Sequence, residues 1–363
     1  MKLVLLDASN LHHGGGVQVA SSLIYEIAKI NPSDFQVAVF ASERVHNSLP
    51  NDFDETAFFN YSIHNRFGFY KSTSTISKLS KQCDISLTVF GPQYSKLKSK
   101  IRITGFAQPW IAYPENDMYD TMNLFNALKN KMKFFVQKEY FFRDDILIVE
   151  HSSVSKALMK NYKNVPQIRV IENTVSTPFI DCSLRVSANI PVVNNKFVVG
   201  FLGRNYPHKN LSIFKGVDKI LKEKYGLEIG FLFSLEKDEM TNMGFDAYSN
   251  FYSCGIITNP QCPSFYEAID LFVFPTLLEC FSVAPLEALI SGIDVLASER
   301  DFIKDVYGES VIYFNPLDAN DIADKIYNYI NEERREKREE RRDLTYNASS
   351  RALAYCDLIR EFI

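Results

Sequence analysis

Two glutamates with seven residues between them, Glu279 and Glu287, bracket the stretch of this sequence that holds the most chemistry. The stretch reads Phe274-Pro275-Thr276-Leu277-Leu278-Glu279-Cys280-Phe281-Ser282-Val283-Ala284-Pro285-Leu286-Glu287-Ala288-Leu289. Its pattern predicts a buried strand ending at Phe274, a short loop carrying Glu279, and a helix capped by Ser282, with Pro285 in the first turn where a missing N–H costs little. The free N–H groups of that turn would open at the C-terminal edge of a sheet, where an anion gains direct hydrogen bonds and a favourable helix dipole. Carboxylates repel phosphate but accept hydrogen bonds from vicinal hydroxyls. One Glu for ribose hydroxyls, one for hexose hydroxyls and amides on the phosphates between them would suit a nucleotide sugar. By spacing alone the pair reads equally as a surface loop acid and a helix-capping acid.

Two further loops carry chemistry. Gly200-Phe201-Leu202-Gly203-Arg204-Asn205-Tyr206-Pro207-His208-Lys209-Asn210 follows a predicted strand and sets two cations, Arg204 and Lys209, on one turn. Arg offers a planar fork and Lys a point charge, which together can neutralise a diphosphate, although Arg and Lys after a strand are also ordinary surface residues. Near the start, Asp7-Ala8-Ser9-Asn10-Leu11-His12-His13-Gly14-Gly15-Gly16-Val17-Gln18 places a triple glycine at the opening of a helix. Such a turn can cradle phosphate or simply be a flexible connection. It is neither G-x-G-x-x-G nor a Walker loop, which disfavours dinucleotide and P-loop readings.

The elements that must position these loops alternate regularly. Short, near-continuous apolar runs at residues 3–6, 36–40, 85–90, 102–104, 146–149, 169–171, 197–201, 228–233, 271–274 and 294–297 suit strands covered on both faces. Helical periodicity lies among them at 17–29, 210–222, 284–290 and 319–330. This alternation predicts βαβ units and a doubly wound α/β architecture. The length of 363 residues suits two domains. Between Pro178 and Lys196 the periodicity lapses, which predicts one domain over 1–185, a second over 186–345 and a docking helix over 346–363, with a ligand cleft between the halves. The mixed-charge run 332–343 reads as a solvated helix.

Composition narrows the field. With 40 Lys+Arg against 44 Asp+Glu the formal net charge is −4, so no global positive field favours nucleic acid, and any anion site must be local. The six cysteines are scattered with no C-x-x-C, which argues against disulfide and zinc frameworks and for reduced thiols. Leu3–Leu6 is too short an apolar run for a signal peptide, and no window suits a spanning helix, so a cytoplasmic protein is expected. Asp52-Phe53-Asp54 is a D-x-D of the kind that holds divalent ions, but no apolar strand leads into it, and neither His151 nor His208 has a partner at metal spacing. No obligatory metal or other cofactor is expected. The run Lys129–Arg143 mixes basic and aromatic residues, which suits either core packing or peripheral contact with the inner face of a membrane.

Taken together, the motifs resemble those of the retaining family 4 glycosyltransferases. FPTLLECFSVAPLEAL is similar to that family's Glu-x7-Glu signature, GFLGRNYPHKN to its Gly-Arg…Lys element, and the first glycine loop to its N-terminal Gly-Gly turn. Val170–Val175 resembles its Ile-Pro-Asn-Gly-Val stretch, and Phe314–Asn320 its late Pro-x-Asp turn. The resemblance runs in order from residue 1 to about 330. It implies a GT-B fold, two Rossmann-like domains with the C-terminal helix returning to the first. It also implies a nucleoside diphosphate sugar as donor, with a glycan or polyprenyl-linked acceptor of the surface-polysaccharide or O-antigen kind.

Residue by residue, the resemblance implies that Arg204 and Lys209 hold the diphosphate, Glu287 the ribose and Glu279 the sugar hydroxyls. Amides near Phe281, Ser282 and Val283 would line the phosphate and sugar, and Gly15, Gly16 and Gly203 would be the glycines of the donor turns. Arg204, Lys209 and Glu279 would be the catalytic set. Cys280 and Ser282 stand where members often carry Gly, and Ala107 or Gln108 where many place a His. Gln108 cannot exchange a proton at neutral pH, and His12 or His13 are the nearest imidazoles in the motifs. A GT-B epimerase or hydrolase, or a non-catalytic nucleotide-sugar binder, would show the same donor motifs.

Overall fold

A computed structural model describes residues 1–68, 74–95, 97–331 and 346–363. The mixed-charge run 332–343 lies outside them. The chain forms two compact units, Met1–Thr177 with Thr345–Ile363, and Pro178–Leu344.

The first unit holds a seven-stranded sheet of β1 (Lys2–Ala8), β2 (Phe35–Ala41), β3 (Asn60–Ile63), β4 (Ile85–Thr88), β5 (Ile101–Phe106), β6 (Ile146–Val149) and β7 (Gln167–Val170) in the order β3-β2-β1-β4-β5-β6-β7. Every pairing is parallel, with Val4 opposite Val37 on one side and Ile85 on the other. The centre of β1 is sealed, as continuous apolar strands under two helical layers require. The helix Gly15–Ile30 covers one face with Val19, Leu23 and Ile27. The C-terminal helix Ala348–Arg360 enters the same core through Ala352, Tyr355, Cys356 and Ile359. Polar ties fix it: buried Arg351 donates to Ser22 Oγ at 2.9 Å, and Arg360 pairs with Asp34 at 2.8 Å.

The second unit repeats the plan with six parallel strands, β8 (Val198–Phe201), β9 (Gly230–Phe233), β10 (Phe251–Ser253), β11 (Leu271–Phe274), β12 (Asp294–Ser298) and β13 (Ile312–Phe314), ordered β10-β9-β8-β11-β12-β13. Its core is rich in aromatics, with Phe214 edge-on to both Phe231 and Phe233. Gly200 is required in β8, because a Cβ there would come 2.6 Å from the Ile269 side chain.

The division falls between Thr177 and Pro178, ahead of the expected 185/186 boundary. Thr177 Oγ1 donates to Glu26 Oε1 in the first unit at 2.6 Å. Beyond it, the Arg185 guanidinium donates to Pro178 O at 3.0 Å and reaches Glu267 at 3.4 Å, and Val186 N–H donates to Pro260 O at 2.9 Å. The start of the stretch that reads as a linker is thus pinned to the second unit by hydrogen bonds that local composition does not reveal.

Candidate functional site

Both sheets reverse strand order once, between β1 and β4 and between β8 and β11. In open α/β sheets the crevice outside the carboxyl ends of the strands at such a reversal is where ligands bind. In the second unit the loops leaving β8 and β11 carry Gly203, Arg204 and Lys209 on one side and Glu279 on the other, so two of the sequence motifs converge there.

The loops are sewn together by backbone. Leu277 N–H donates to His208 O at 2.7 Å, and Thr276 Oγ1 lies 3.1 Å from both His208 O and Glu279 Oε1. Gly203 N–H donates to Ser234 Oγ at 2.8 Å. The residues after β8 form one 3-10 turn, Pro207–Lys209, closed by Asn210 in the left-handed region at φ 56°. This turn aims Lys209 across at the β11 loop. Its Nζ sits 2.5 Å from Glu279 Oε1 and 4.8 Å from the centre of the Phe274 ring. The two side chains are only 13% and 11% exposed, so each charge relies on the other.

His208 Nε2 is 3.8 Å from the same carboxylate oxygen. Burial pushes the imidazole below its ordinary value; Glu279 pulls it back up and Lys209 opposes that. At neutral pH His208 is therefore an uncharged imidazole beside the ion pair.

Arg204 has other partners. Its Nη2 lies 3.4 Å from Glu236 and 3.3 Å from Glu239, both at the start of the helix Lys237–Asn242. A diphosphate here would compete with these carboxylates for the guanidinium.

The helix after Glu279 starts later than its sequence suggests. Ser282 is not the N-cap: the helix is Ala284–Ile290, its cap is Val283 with helical backbone angles, and no side chain caps it. The Ser282 carbonyl accepts the Tyr307 hydroxyl. Phe281, Ser282 and Val283 are half-buried.

Glu287, expected at a ribose, is 2% exposed and has a protein partner: the Tyr266 hydroxyl lies 2.9 Å from its Oε2 and 3.0 Å from Ala284 O. Burial pushes the Glu287 carboxyl up to about 7, against the hydrogen bond from Tyr266. Tyr266 has one hydroxyl proton for two acceptors, so a protonated Glu287 lets both contacts be hydrogen bonds.

The first unit holds the remaining candidates. Gly14, at φ 66°, caps the helix that Gly15 and Gly16 open. Beside Gly15 a Cβ would meet nothing within 4 Å, whereas at Gly16 it would come 3.3 Å from Leu11. His12 Nε2 lies 2.8 Å from Arg66 O, and its ring stacks on Phe67 at 4.0 Å. His13 is exposed. Gln108 caps the short helix Pro109–Ala112 through its backbone and reaches Gln137 at 3.4 Å, which in turn donates to Tyr94 at 2.9 Å.

The D-x-D carboxylates serve local structure. Asp52 accepts from Tyr25 at 2.8 Å, and Asp54 caps the turn Glu55–Ala57. His151 caps the helix Ser152–Asn161. Among the described residues no group of three or more His, Cys, Asp and Glu is placed to hold a metal ion.

Sequence reasoning missed Thr276, Tyr266, Glu236 and Glu239. Thr276 stands three before Glu279, a spacing that hints at their contact. Tyr266 and the two glutamates lie in elements whose place beside the loops is set by sheet order.

Fold and site define a class of architecture, and comparison with known proteins gives it a name. Sucrose-phosphate synthase from Thermosynechococcus elongatus superposes over 99% of both chains with a TM-score of 0.68 at 15% identity. Anabaena HepE, solved in complex with UDP and glucose, does so over 99% of both at 0.65, also at 15% identity. These likenesses show the fold, which is GT-B, with two parallel-sheet α/β domains and the C-terminal helix returned to the first.

In sequence, residues 249–351 match the family described as glycosyl transferases group 1. The serotype-specific mannosyltransferase WbdA of Escherichia coli is 26% identical over 212 residues, 53% of this chain and 25% of that protein. The 2-deoxystreptamine N-acetyl-D-glucosaminyltransferase of Niallia circulans is 26% identical over 158 residues, 42% of this chain and 40% of that one. The matched stretches thus span well under half the length of these relatives.

Proposed function

We propose that this protein is a glycosyltransferase that moves a hexose from a nucleoside diphosphate sugar to a glycan or lipid-linked glycan. The observation that carries the reading is the Lys209–Glu279 pair, held 2.5 Å apart where the strand order of the second sheet reverses. The group 1 match over residues 249–351 and the likeness to two sugar-transferring enzymes support it. The serotype-specific mannosyltransferase favours a surface-polysaccharide role. The Glu279–Glu287 spacing favours a family 4 enzyme that retains anomeric configuration, and the local roles of Asp52 and Asp54 favour a reaction that does not use the D-x-D for metal. An enzyme of this kind draws its donor from the cytoplasm.

Breaking the bond between sugar and diphosphate leaves negative charge on the phosphate and positive charge on the sugar ring. Cations and amides fixed in advance at the leaving group stabilise that separation without reorganising. Lys209 and Arg204 are the cations, and the amides near Phe281, Ser282 and Val283 are the donors. Glu279, held by Lys209 and Thr276, accepts hydrogen bonds from sugar hydroxyls. Glu287 anchors the start of the helix Ala284–Ile290 from behind through Tyr266, a contact that competes with any ribose.

The test is a panel of UDP-, GDP- and dTDP-sugars incubated with and without glycan and polyprenyl-phosphate acceptors. Transfer that Lys209→Met or Glu279→Gln abolishes upholds the reading. Donor turnover without an acceptor, giving free sugar or an epimerised donor, replaces it with a hydrolase or epimerase. Binding without any turnover leaves a non-catalytic nucleotide-sugar protein.

A further inference from the structure

The helix Leu124–Phe142 is apolar on two opposite sides, and only one of them faces protein. Inward, Phe134 stacks on Trp110 at 5.3 Å and Phe141 meets Phe106 edge-on at 4.8 Å. At about 100° per residue, Leu124, Leu128, Phe135, Met132, Phe125 and Val136 fall on the other side. All six are exposed, Leu124 and Phe125 at 90% and 77%. From Leu124 to Val136 this apolar stripe is about 18 Å long.

Charge frames the stripe. Lys129 and Lys133 run along one edge and Lys131 along the other, all exposed. The helix holds four Lys and one acid, Glu139, a balance of 4 − 1 = +3 in a chain of net −4. Glu139 is itself paired with Lys138 at 2.9 Å. An apolar stripe between lysine edges is the pattern of a helix lying in a lipid interface, with the stripe among acyl chains and the ammonium groups at anionic headgroups. A second copy of the chain fits less well, because a two-fold contact through this stripe would set lysine edge against lysine edge. No helix of the described residues is long and apolar enough to cross a membrane.

We propose that the face of residues 124–136 rests on an anionic lipid surface. This moves the contact N-terminal to the run 129–143 that the sequence suggests. The end of that run is engaged inside the protein: Phe141 is fully buried, and Arg143 donates to Gln93 O and lies 4.5 Å over the Tyr140 ring.

The test is flotation of the purified full chain with vesicles of phosphatidylcholine alone and of equal parts phosphatidylcholine and phosphatidylglycerol. The expected result is binding to the anionic vesicles that weakens with salt. Leu128→Ser with Phe135→Ser should lower it at least tenfold. Lys129→Gln with Lys133→Gln should lower it about 25-fold, roughly fivefold per lysine. Both variants should keep the thermal midpoint of the parent, since the side chains they change are exposed. Failure to bind anionic vesicles, equal binding to neutral ones, or unchanged binding by either variant would overturn the proposal. So would self-association of the parent that Leu128→Ser with Phe135→Ser abolishes, which would assign the face to a second copy.

Discussion

The two sheets reverse strand order at equivalent places, yet the polar residues there are partnered differently. At the end of β1, Asp7 is fully buried and surrounded. Arg66 Nη2 pairs with it at 2.8 Å, Gln93 Nε2 donates at 2.9 Å and Ser9 Oγ at 2.6 Å, while Arg66 also donates to Gln93 Oε1 at 2.8 Å. That network closes on itself. Beyond β8 and β11, Lys209 and Glu279 are about as buried as Arg66, but Arg204 is 23% exposed between two carboxylates. A charge balanced out of reach of water holds a loop in place; one balanced at the rim can exchange its partner for a ligand. This difference, together with the strand-order reversal, is why donor chemistry is proposed for the second unit.

The largest effect is expected in the first unit. Arg66→Ala leaves the Asp7 carboxylate buried without its cation, and urea denaturation should show a loss of about 3–5 kcal/mol. A loss under about 1 kcal/mol would mean the network is not structural. On the second side the effect should also fall on rate: Lys209→Met should cut transfer by about 10²–10³.

Glu287 gives a pH signature. With its carboxyl raised to about 7, the fold keeps a proton that the unfolded chain has lost above about pH 4.5. Its contribution to stability therefore falls as pH rises between those values and is level outside them. Glu287→Gln should remove that slope, matching the parent at pH 4 and exceeding it at pH 8 by about 1–3 kcal/mol, as read from paired melting curves. The smallest effect should come from Gly15→Ala, where the added Cβ meets no atom within 4 Å. Stability should change by less than about 1 kcal/mol, so any large loss of transfer would show that a ligand approaches this glycine.

Much of the frame was legible because central parallel strands are continuous apolar runs. β1, β6, β8 and β11 announce themselves in this way. The strands that escaped, β3, β10 and β13, are all at sheet edges, and none is buried throughout. β3 and β10 lack a continuous apolar run, and β13 is a strand of only three residues. The helix Ala284–Ile290 was legible over its full length, but its cap was not: the residue before it is Val283, with helical backbone angles and no capping side chain.

Within the site, residue types were readable and pairings were not. Arg204 and Lys209 look alike as cations on one turn, and only the fold gives one to Glu236 and Glu239 and the other to Glu279. Likewise Asp7 meets Arg66 and Gln93 across 59 and 86 residues of sequence. Such partners follow from strand order, which short-range periodicity does not carry.

A nucleoside diphosphate is proposed to bind at the β8–β11 reversal through Lys209. Calorimetric titration of UDP and of GDP into the parent chain, Lys209→Met and the exposed-site control Lys100→Ala tests it directly. At least one nucleotide should bind the parent and the control alike and bind Lys209→Met at least tenfold more weakly. Undiminished binding by Lys209→Met, or no binding of either nucleotide to the parent, would contradict it.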